Sequence, residues 1–524
     1  MGARRGGGLA TLALDAILAQ AAHASPRRTA IRYEGIERTY AELWDRARRL
    51  AAALASLGVG RGDRVAFWSS NRPEFLEFLF GVPALGAIAV PLDHWWTGAE
   101  GLAALEQCRP ACIIAAAGQA SLVDELRPRL AELGLSSWVA LDEPQAQPWV
   151  SYERLLAGAS PLRPSALVSL DDPALILFTS GSTGRSRGAV HTHRDLAHTA
   201  AIMAFELGLR EGERTLHFLP LFSSCLEHLI PLTLVRASHV ILPEFDAEGV
   251  WEAVARHEVT HFDAVPTSLK RLLEVAPPVV PASLRLVSYA SEPMPAPLIS
   301  AWLDRAPAVQ FVQFYGTIEH LCLTVQKPWE QRAKIGTVGR PMLGAELRLR
   351  APDGTPAPPG EAGEIVATSP TLMAGYWDDP ASTAAVIEDG WMRTGDLGRF
   401  DADGYLVLEG RLKEIIKSGG MTVVPREVEE VLLRHSEVLD AAVVGVPDER
   451  WGEAVHAFVT LHRGARVKEG ELRAFCHGAL AGYKRPQVIE ILSDLPRTGI
   501  GKIAHGELRR LALTRSADRV PAKP

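Results

Sequence analysis

The chain has 524 residues, 47% hydrophobic and 22% charged, ordinary globular values that allow several domains with large cores. A formal net charge of −7 excludes the basic footprint of a nucleic-acid binder but leaves room for local basic sites. Five cysteines, Cys108, Cys112, Cys225, Cys322 and Cys476, are too sparse and odd in number for a disulfide framework and suit a reducing cytoplasm.

At the start, Arg4 and Arg5 precede an apolar run, and Ala22-His23-Ala24 imitates a cleavage site. Asp15 interrupts the run, and Leu12, Leu14, Ile17 and Leu18 fit an amphipathic helix, which is the expectation. Thr39 caps the next helix, with Leu43, Ala47, Leu50 and Leu54 as its stripe and Gly58 as its stop. A strand at 65–68, a helix at 75–85 and a strand at 87–90 follow, the alternation of a parallel, helix-covered sheet. The apolar stretch 78–92 holds Gly81, Pro83, Gly86 and Pro91 and is too short to span a bilayer, so a soluble protein is expected. Trp95 and Trp96 are expected to pack.

Leu175 to Phe178 are continuously apolar and read as a buried strand. The strand runs into Thr179, Ser180, Gly181, Ser182, Thr183 and Gly184, followed by Arg185 and Arg187. Glycines let a backbone approach an anion, N–H and O–H groups donate to phosphate oxygens, and arginine adds a fixed planar charge. The spacing is not that of a Walker A loop. A helix at 193–207 and strands at 216–220, 240–243, 261–265 and 284–289 come next. In Gln313 to Glu319, an aromatic beside a glycine offers a flat face for a nucleobase, and Glu319 offers an oxygen for a hard cation. Asp396 offers a carboxylate that can accept from two hydroxyls, or cap a helix. Toward the end, Gly499 and Gly501 flank a loop that presents Lys502. His191 and His193, like the cysteines, lack a second ligand pair and are expected to pack rather than bind metal.

These stretches resemble the adenylate-forming (AMP-binding) superfamily, in its acyl-CoA synthetase branch of fatty-acid or aryl-acid CoA ligases. The usual loop is Thr-Ser-Gly-Thr/Ser-Thr-Gly-x-Pro-Lys-Gly; here Ser186 stands for the proline and Arg187 for the lysine. Leu219-Pro220-Leu221-Phe222 matches the next motif, with Ser223 at the position of a gate residue over the acyl pocket. Ser288 to Met294 is a drifted adenine-side segment, and Tyr315, Gly316 and Glu319 match Tyr-Gly-x-Thr-Glu with Ile318 at the threonine. Trp391 to Asp396 matches the ribose motif, and Pro496 to Ile503 the catalytic lysine motif, with His505 after it at the usual arginine.

The resemblance implies an α/β protein: a large N-terminal domain of two sheet-and-helix subdomains plus a small β-barrel, then a mobile, smaller α+β C-terminal domain. The expected boundaries are 1–409, a hinge at 410–413 that includes Lys413, a lid domain at 414–510 and a frayed tail at 511–524. It implies an ATP-dependent acyl-CoA synthetase. A carboxylic acid becomes an acyl-adenylate with release of pyrophosphate, and the acyl group then passes to CoA. Arg187 and the loop 179–184 would take phosphate, Glu319 Mg²⁺, and Ser291, Glu292, Pro293, Tyr315 and Gly316 the adenine. Asp396 and Arg411 would hold ribose, Lys502 would bridge acid and α-phosphate, and Lys417, Gly419 and Gly420 would serve CoA. Ser223, Ser224, Cys225, Phe262, Ala290 and Phe314 would line an apolar acyl pocket, and Glu227 or His228 would favour a polar substituent if either turns inward. A carrier-protein or amine acceptor, or a weakly active nucleotide-binding relative, stays open, as does a homodimer.

Overall fold

The computed structural model describes residues 13–144, 147–162, 168–179, 186–223, 226–292, 294–448, 450–497 and 502–519. The chain divides into two compact units: residues up to Glu346 together with Thr368–Met392, and Leu347–Ala367 together with the chain from Arg393 onward.

The first unit carries two sheets. In the nine-stranded sheet the central parallel strands lie in the order Gln310–Tyr315, Leu286–Tyr289, His261–Ala264, Arg214–His217, Ser238–Ile241 and Thr29–Tyr33. Antiparallel strands close both edges, Thr324–Gln326 and Arg340–Pro341 on one side and Ile36–Thr39 on the other. The eight-stranded sheet places Pro173–Phe178 between Ile88–Leu92 and the antiparallel Gly188–Thr192.

The helices form where the sequence caps them. Thr39 and Glu42 make a reciprocal capping box at the start of Tyr40–Ser56, and Leu43, Ala47, Leu50 and Leu54 are buried. The expected helix at 75–85 is Glu74–Ala84, buried all round. Its Gly81 lies against the capped helix so closely that a Cβ there would sit 2.6 Å from the Ala47 carbonyl oxygen. The first helix is Leu14–Ala24, with Leu14, Ile17 and Leu18 in the core. Trp96 packs on the second core, whereas Trp95 is 51% exposed and meets His94 and Phe222.

The second unit holds a sheet built on Glu346–Arg350, Gly363–Thr368, Trp391–Phe400 and Leu406–Arg411, where a small barrel is expected. Beyond it, Ile416–Ser418, Met421–Val423, Val438–Asp448, Gly452–Leu461 and Val488–Ile491 form another sheet. Helices Pro425–Leu433 and Glu469–Ala479 bury Val428, Leu432, Leu472 and Cys476 against one of its faces. The tail expected to fray from 511 instead continues a helix, His505–Arg519, because Leu508 and Ala512 are apolar positions four apart that bury against Ala442, Val444 and Phe458. Among the described residues no helix is long and apolar enough to cross a membrane.

Candidate active site

The phosphate-loop stretch leaves a strand and returns by its antiparallel neighbour, so its ends meet. Thr179 N donates to the Arg187 carbonyl at 2.9 Å, Arg187 N donates to Thr179 Oγ1 at 3.3 Å, and Ser186 Oγ donates to the Thr179 carbonyl. The serine that replaces proline therefore ties the neck. The loop proper, Ser180, Gly181, Ser182, Thr183 and Gly184, lies outside the described residues. Gly188 is required on the returning strand, because a Cβ would come within 2.6 Å of Ile176 Cγ2.

Arg187 lies over the Tyr376 ring, its guanidinium carbon 4.4 Å from the centroid. The Tyr376 hydroxyl donates to Glu319 Oε1 at 2.7 Å. Short strand Gly375–Tyr376 pairs with the strand that follows Arg187, which is what gathers the three residues. Burial, then the Glu319 charge, push the Tyr376 phenol up, so it stays a donor. The sequence reading missed Tyr376; its one signal is an aromatic pair, Tyr376 and Trp377, directly after a glycine.

Glu319 follows strand Gln310–Tyr315 through a tight turn. Gly316 has no room for a side chain, since a Cβ would fall 1.9 Å from the Leu321 carbonyl oxygen. Three successive carbonyls are held: Ile318 by His191 Nε2 at 2.8 Å, Glu319 by Met373 N at 2.7 Å, and His320 by Thr371 Oγ1 at 2.5 Å. His191 Nδ1 in turn lies 3.6 Å from Asp195 Oδ2. His191 and His193 are thus buried packing residues, and His191 also positions this segment. Among the described residues no group of three or more His, Cys, Asp and Glu could hold a metal ion alone. One hard carboxylate oxygen on a rigid turn fits Mg²⁺, which keeps waters and takes its other ligands from substrate phosphates.

On the same unit, Ser291 adopts φ +77°, a left-handed conformation that costs a serine on the order of 1 kcal/mol. Glu292 accepts from Thr267 Oγ1 at 3.3 Å, Tyr315 is buried at the strand end, and Pro293 is outside the described residues. Of the acyl-pocket candidates, Ser224 and Cys225 also lie outside the described residues, while Ser223 forms a turn onto the Pro220 carbonyl. Ala290 and Phe314 are buried. Phe262 requires a correction. Side chains alternate along a strand, and Phe262 packs on Phe218 at 5.5 Å in the core, on the face away from Phe314. Its neighbour Asp263 takes the Phe314 face, where it accepts from Ser288 Oγ at 3.0 Å. His228, in helix Leu226–Leu234, covers that face; its ring centroid is 5.5 Å from that of Phe314.

In the second unit, Asp396 and Arg411 face each other across antiparallel strands, Arg411 Nε 3.0 Å from Asp396 Oδ1. Asp396 is 6% exposed, and its N–H donates to Thr394 Oγ1 at 3.1 Å. Lys413 stands exposed on the short turn Leu412–Glu414. Gly419 and Gly420, at φ +59° and +79°, make the two-residue turn that joins Ile416–Ser418 to Met421–Val423. Lys417 Nζ donates to Thr422 Oγ1 at 2.8 Å. Lys502 is half-buried at the neck of its loop, where Arg497 and Ile503 bridge and Ala504 N donates to the Pro496 carbonyl at 2.8 Å.

The model of the AMP-binding enzyme family matches residues 18–377, and that of the AMP-binding enzyme C-terminal domain residues 427–502. The chain belongs to the AMP-binding enzyme family. It is 39% identical over 496 residues to a feruloyl-CoA synthase of an Amycolatopsis species, across 93% of this chain and 97% of that one. It is 35% identical over 494 residues to an indoleacetate–CoA ligase of Aromatoleum aromaticum, across 93% and 95%. Among solved structures, ATP-bound MatB from Rhodopseudomonas palustris has a TM-score of 0.88 at 29% identity, covering 96% of this chain and 99% of that one. The o-succinylbenzoate CoA synthetase of Bacillus subtilis with its acyl-adenylate has a TM-score of 0.83 at 31% identity, covering 94% and 97%. As a member of the family, the chain is an AMP-forming acid–thiol ligase of the acyl-CoA synthetase kind, with the expected α/β fold and separate C-terminal domain.

Proposed function

We propose that the chain makes acyl-CoA thioesters of fatty or aromatic acids in two steps. The acid carboxylate attacks the α-phosphate of ATP, forming acyl-adenylate and releasing pyrophosphate. The CoA thiol then attacks the adenylate carbonyl, and AMP leaves. The observation that carries this reading is the line of Arg187, Tyr376 and Glu319 at the neck of the glycine-rich loop. It sets a permanent cation beside a fixed carboxylate where a triphosphate needs both a counter-charge and a place for its cation. Mg²⁺, held by Glu319, supplies charge neutralisation on the phosphates.

The remaining roles follow chemistry and family resemblance. The backbone of 179–184 cradles phosphate. Tyr315, Gly316 and the segment of Ser291, Glu292 and Pro293 hold adenine. Asp396 accepts the ribose hydroxyls with Arg411 orienting its carboxylate. Lys502 neutralises charge between acid and α-phosphate, then leaves as the 414–510 segment turns about Lys413. Lys417, Gly419 and Gly420 then line the path of the thiol. The buried thiols Cys108, Cys112, Cys322 and Cys476 suit a cytoplasmic enzyme; light scattering decides between monomer and homodimer.

ATP–pyrophosphate exchange across hexanoate, dodecanoate, benzoate and cinnamate, with and without CoA, tests the reading. Exchange with at least one acid and CoA-dependent thioester release is expected. Exchange without thioester would assign another acceptor, and no exchange with any of the four would overturn the fatty or aromatic assignment of the acid.

A further inference from the structure

Asn71 is a buried amide outside every motif named above, and it joins the two sheets of the first unit. It follows strand Arg64–Trp68 of the eight-stranded sheet. Its partners belong to the nine-stranded sheet: Leu219 and Leu221 just past Arg214–His217, and Leu242 just past Ser238–Ile241. Asn71 Nδ2 donates to the Leu219 carbonyl at 3.0 Å and to the Leu242 carbonyl at 3.1 Å. Its Oδ1 accepts from Leu221 N at 2.8 Å. Two acceptors and one donor leave the amide a single orientation. Pro220 has no N–H to extend a ladder, and the asparagine meets the backbone groups on either side of it.

The same segment is gripped again one residue on. Phe222 meets His94 and Trp95, just past strand Ile88–Leu92, with ring centroids 5.8 and 6.3 Å away. Trp96 in turn meets Phe178, the residue before Thr179, at 6.0 Å.

A second tie between the sheets is the Tyr376 hydroxyl on Glu319. In the eight-stranded sheet the order runs Gly375–Tyr376, Gly188–Thr192, Pro173–Phe178, Ile88–Leu92, Arg64–Trp68. Tyr376 is on the first of these and Asn71 follows the last, so the two ties bracket the strand that leads into the glycine-rich loop. In the other sheet, Glu319 follows Gln310–Tyr315 and Leu219 follows Arg214–His217. Between them stands Leu286–Tyr289, which leads into Ser291 and Glu292. Ligands of open α/β sheets lie at such carboxyl ends.

We infer that Asn71 is a positioning residue for adenylation, holding the carboxyl ends of the two sheets at the spacing that a nucleotide spanning them needs. This rests on the two-step reading above, in which one sheet takes phosphate and the other adenine. A shift between the sheets is then a shift between the two ends of ATP, and small misplacements of bound groups cost rate steeply. The acyl-adenylate has lost the β- and γ-phosphates, so the second step depends less on the clasp.

The test measures both half-reactions on one sample, so that the folded fraction cancels from their ratio. ATP–pyrophosphate exchange is followed over an ATP series with the acid the wild type takes best, and thioester formation from its supplied acyl-adenylate and CoA. Asn71→Ala should lower kcat/KM for ATP in exchange about tenfold or more, with KM raised, and change thioester formation less than about threefold. Asn71→Ser, whose hydroxyl can replace one bond, should lose less. Equal loss in both half-reactions, or an unchanged KM for ATP, would overturn the proposal and leave the clasp to folding alone. If Asn71→Ala does not fold, Phe222→Ala decides: it cuts the second grip at a half-buried ring and should show the same split to a smaller degree, and no split would overturn the proposal. Failure of the two-step reading looks different, because the wild type then gives no exchange with any acid.

Discussion

Arg187 stands where the family has a lysine, and the ring beneath it gives the exchange a physical meaning. A guanidinium stacked on Tyr376 keeps its charge over the neck of the loop while its edge stays available for oxygen. Lysine can also sit over a ring, so Arg187→Lys should change the KM for ATP only a few-fold, and Arg187→Ala should raise it further. Tyr376 connects this cation to Glu319 through a single hydroxyl. Tyr376→Phe keeps the ring and removes the hydrogen bond, so the Mg²⁺ concentration for half-maximal rate should rise several-fold while thermal stability shifts little. The net worth of such a bond is about 1–2 kcal/mol. Kinetics over a Mg²⁺ series read the effect; unchanged half-saturation would show that the tyrosine serves packing alone.

At the scale of the element, Gly419 and Gly420 both need positive φ to turn one short strand into the next. A Cβ at Gly420 would meet no atom within 4 Å, so any penalty there is backbone conformation rather than collision. Asparagine tolerates the left-handed region, which makes Gly420→Asn the cleaner way to add bulk. If this turn borders the thiol path, that variant should keep pyrophosphate exchange and lose thioester formation about tenfold or more. Equal loss in both half-reactions would remove the turn from the path.

Elements of this kind were legible in the sequence because their causes are local. Thr39 and Glu42 announce a helix start, and alternating apolar runs announce strands. The motifs likewise placed Glu319, Asp396 and Arg411 on recognisable segments. Tyr376 and Asp263 were not legible, since each joins its partners through a sheet pairing that brings distant residues side by side. Phe262 was misplaced for a related reason: one step of register along a strand moves a side chain to the opposite face.

For the whole molecule, acid should be the destabilising direction. Burial lowers His193 to about 4 and His239 and His320 to about 3. Each is neutral when folded, whereas in the unfolded chain it takes a proton below about pH 6.5. Their support is complete above that pH and is lost as pH falls toward the folded value, by about 1.4 kcal/mol per pH unit for each residue. His191 and Asp263, both raised, pull the other way. His239→Gln should therefore flatten the fall in urea stability between pH 7 and pH 5, and an unaltered slope would contradict the assignment. The two necks described above, at Thr179 with Arg187 and at Arg497 with Ile503, carry a different consequence. Closing a loop costs chain entropy that grows only slowly with length, about 0.6 kcal/mol per doubling. The bonds that close the two necks, made by Thr179, Ser186 and Arg187 and by Pro496 and Ala504, help to meet that cost. One residue inserted within either neck should therefore alter turnover long before it alters the melting temperature.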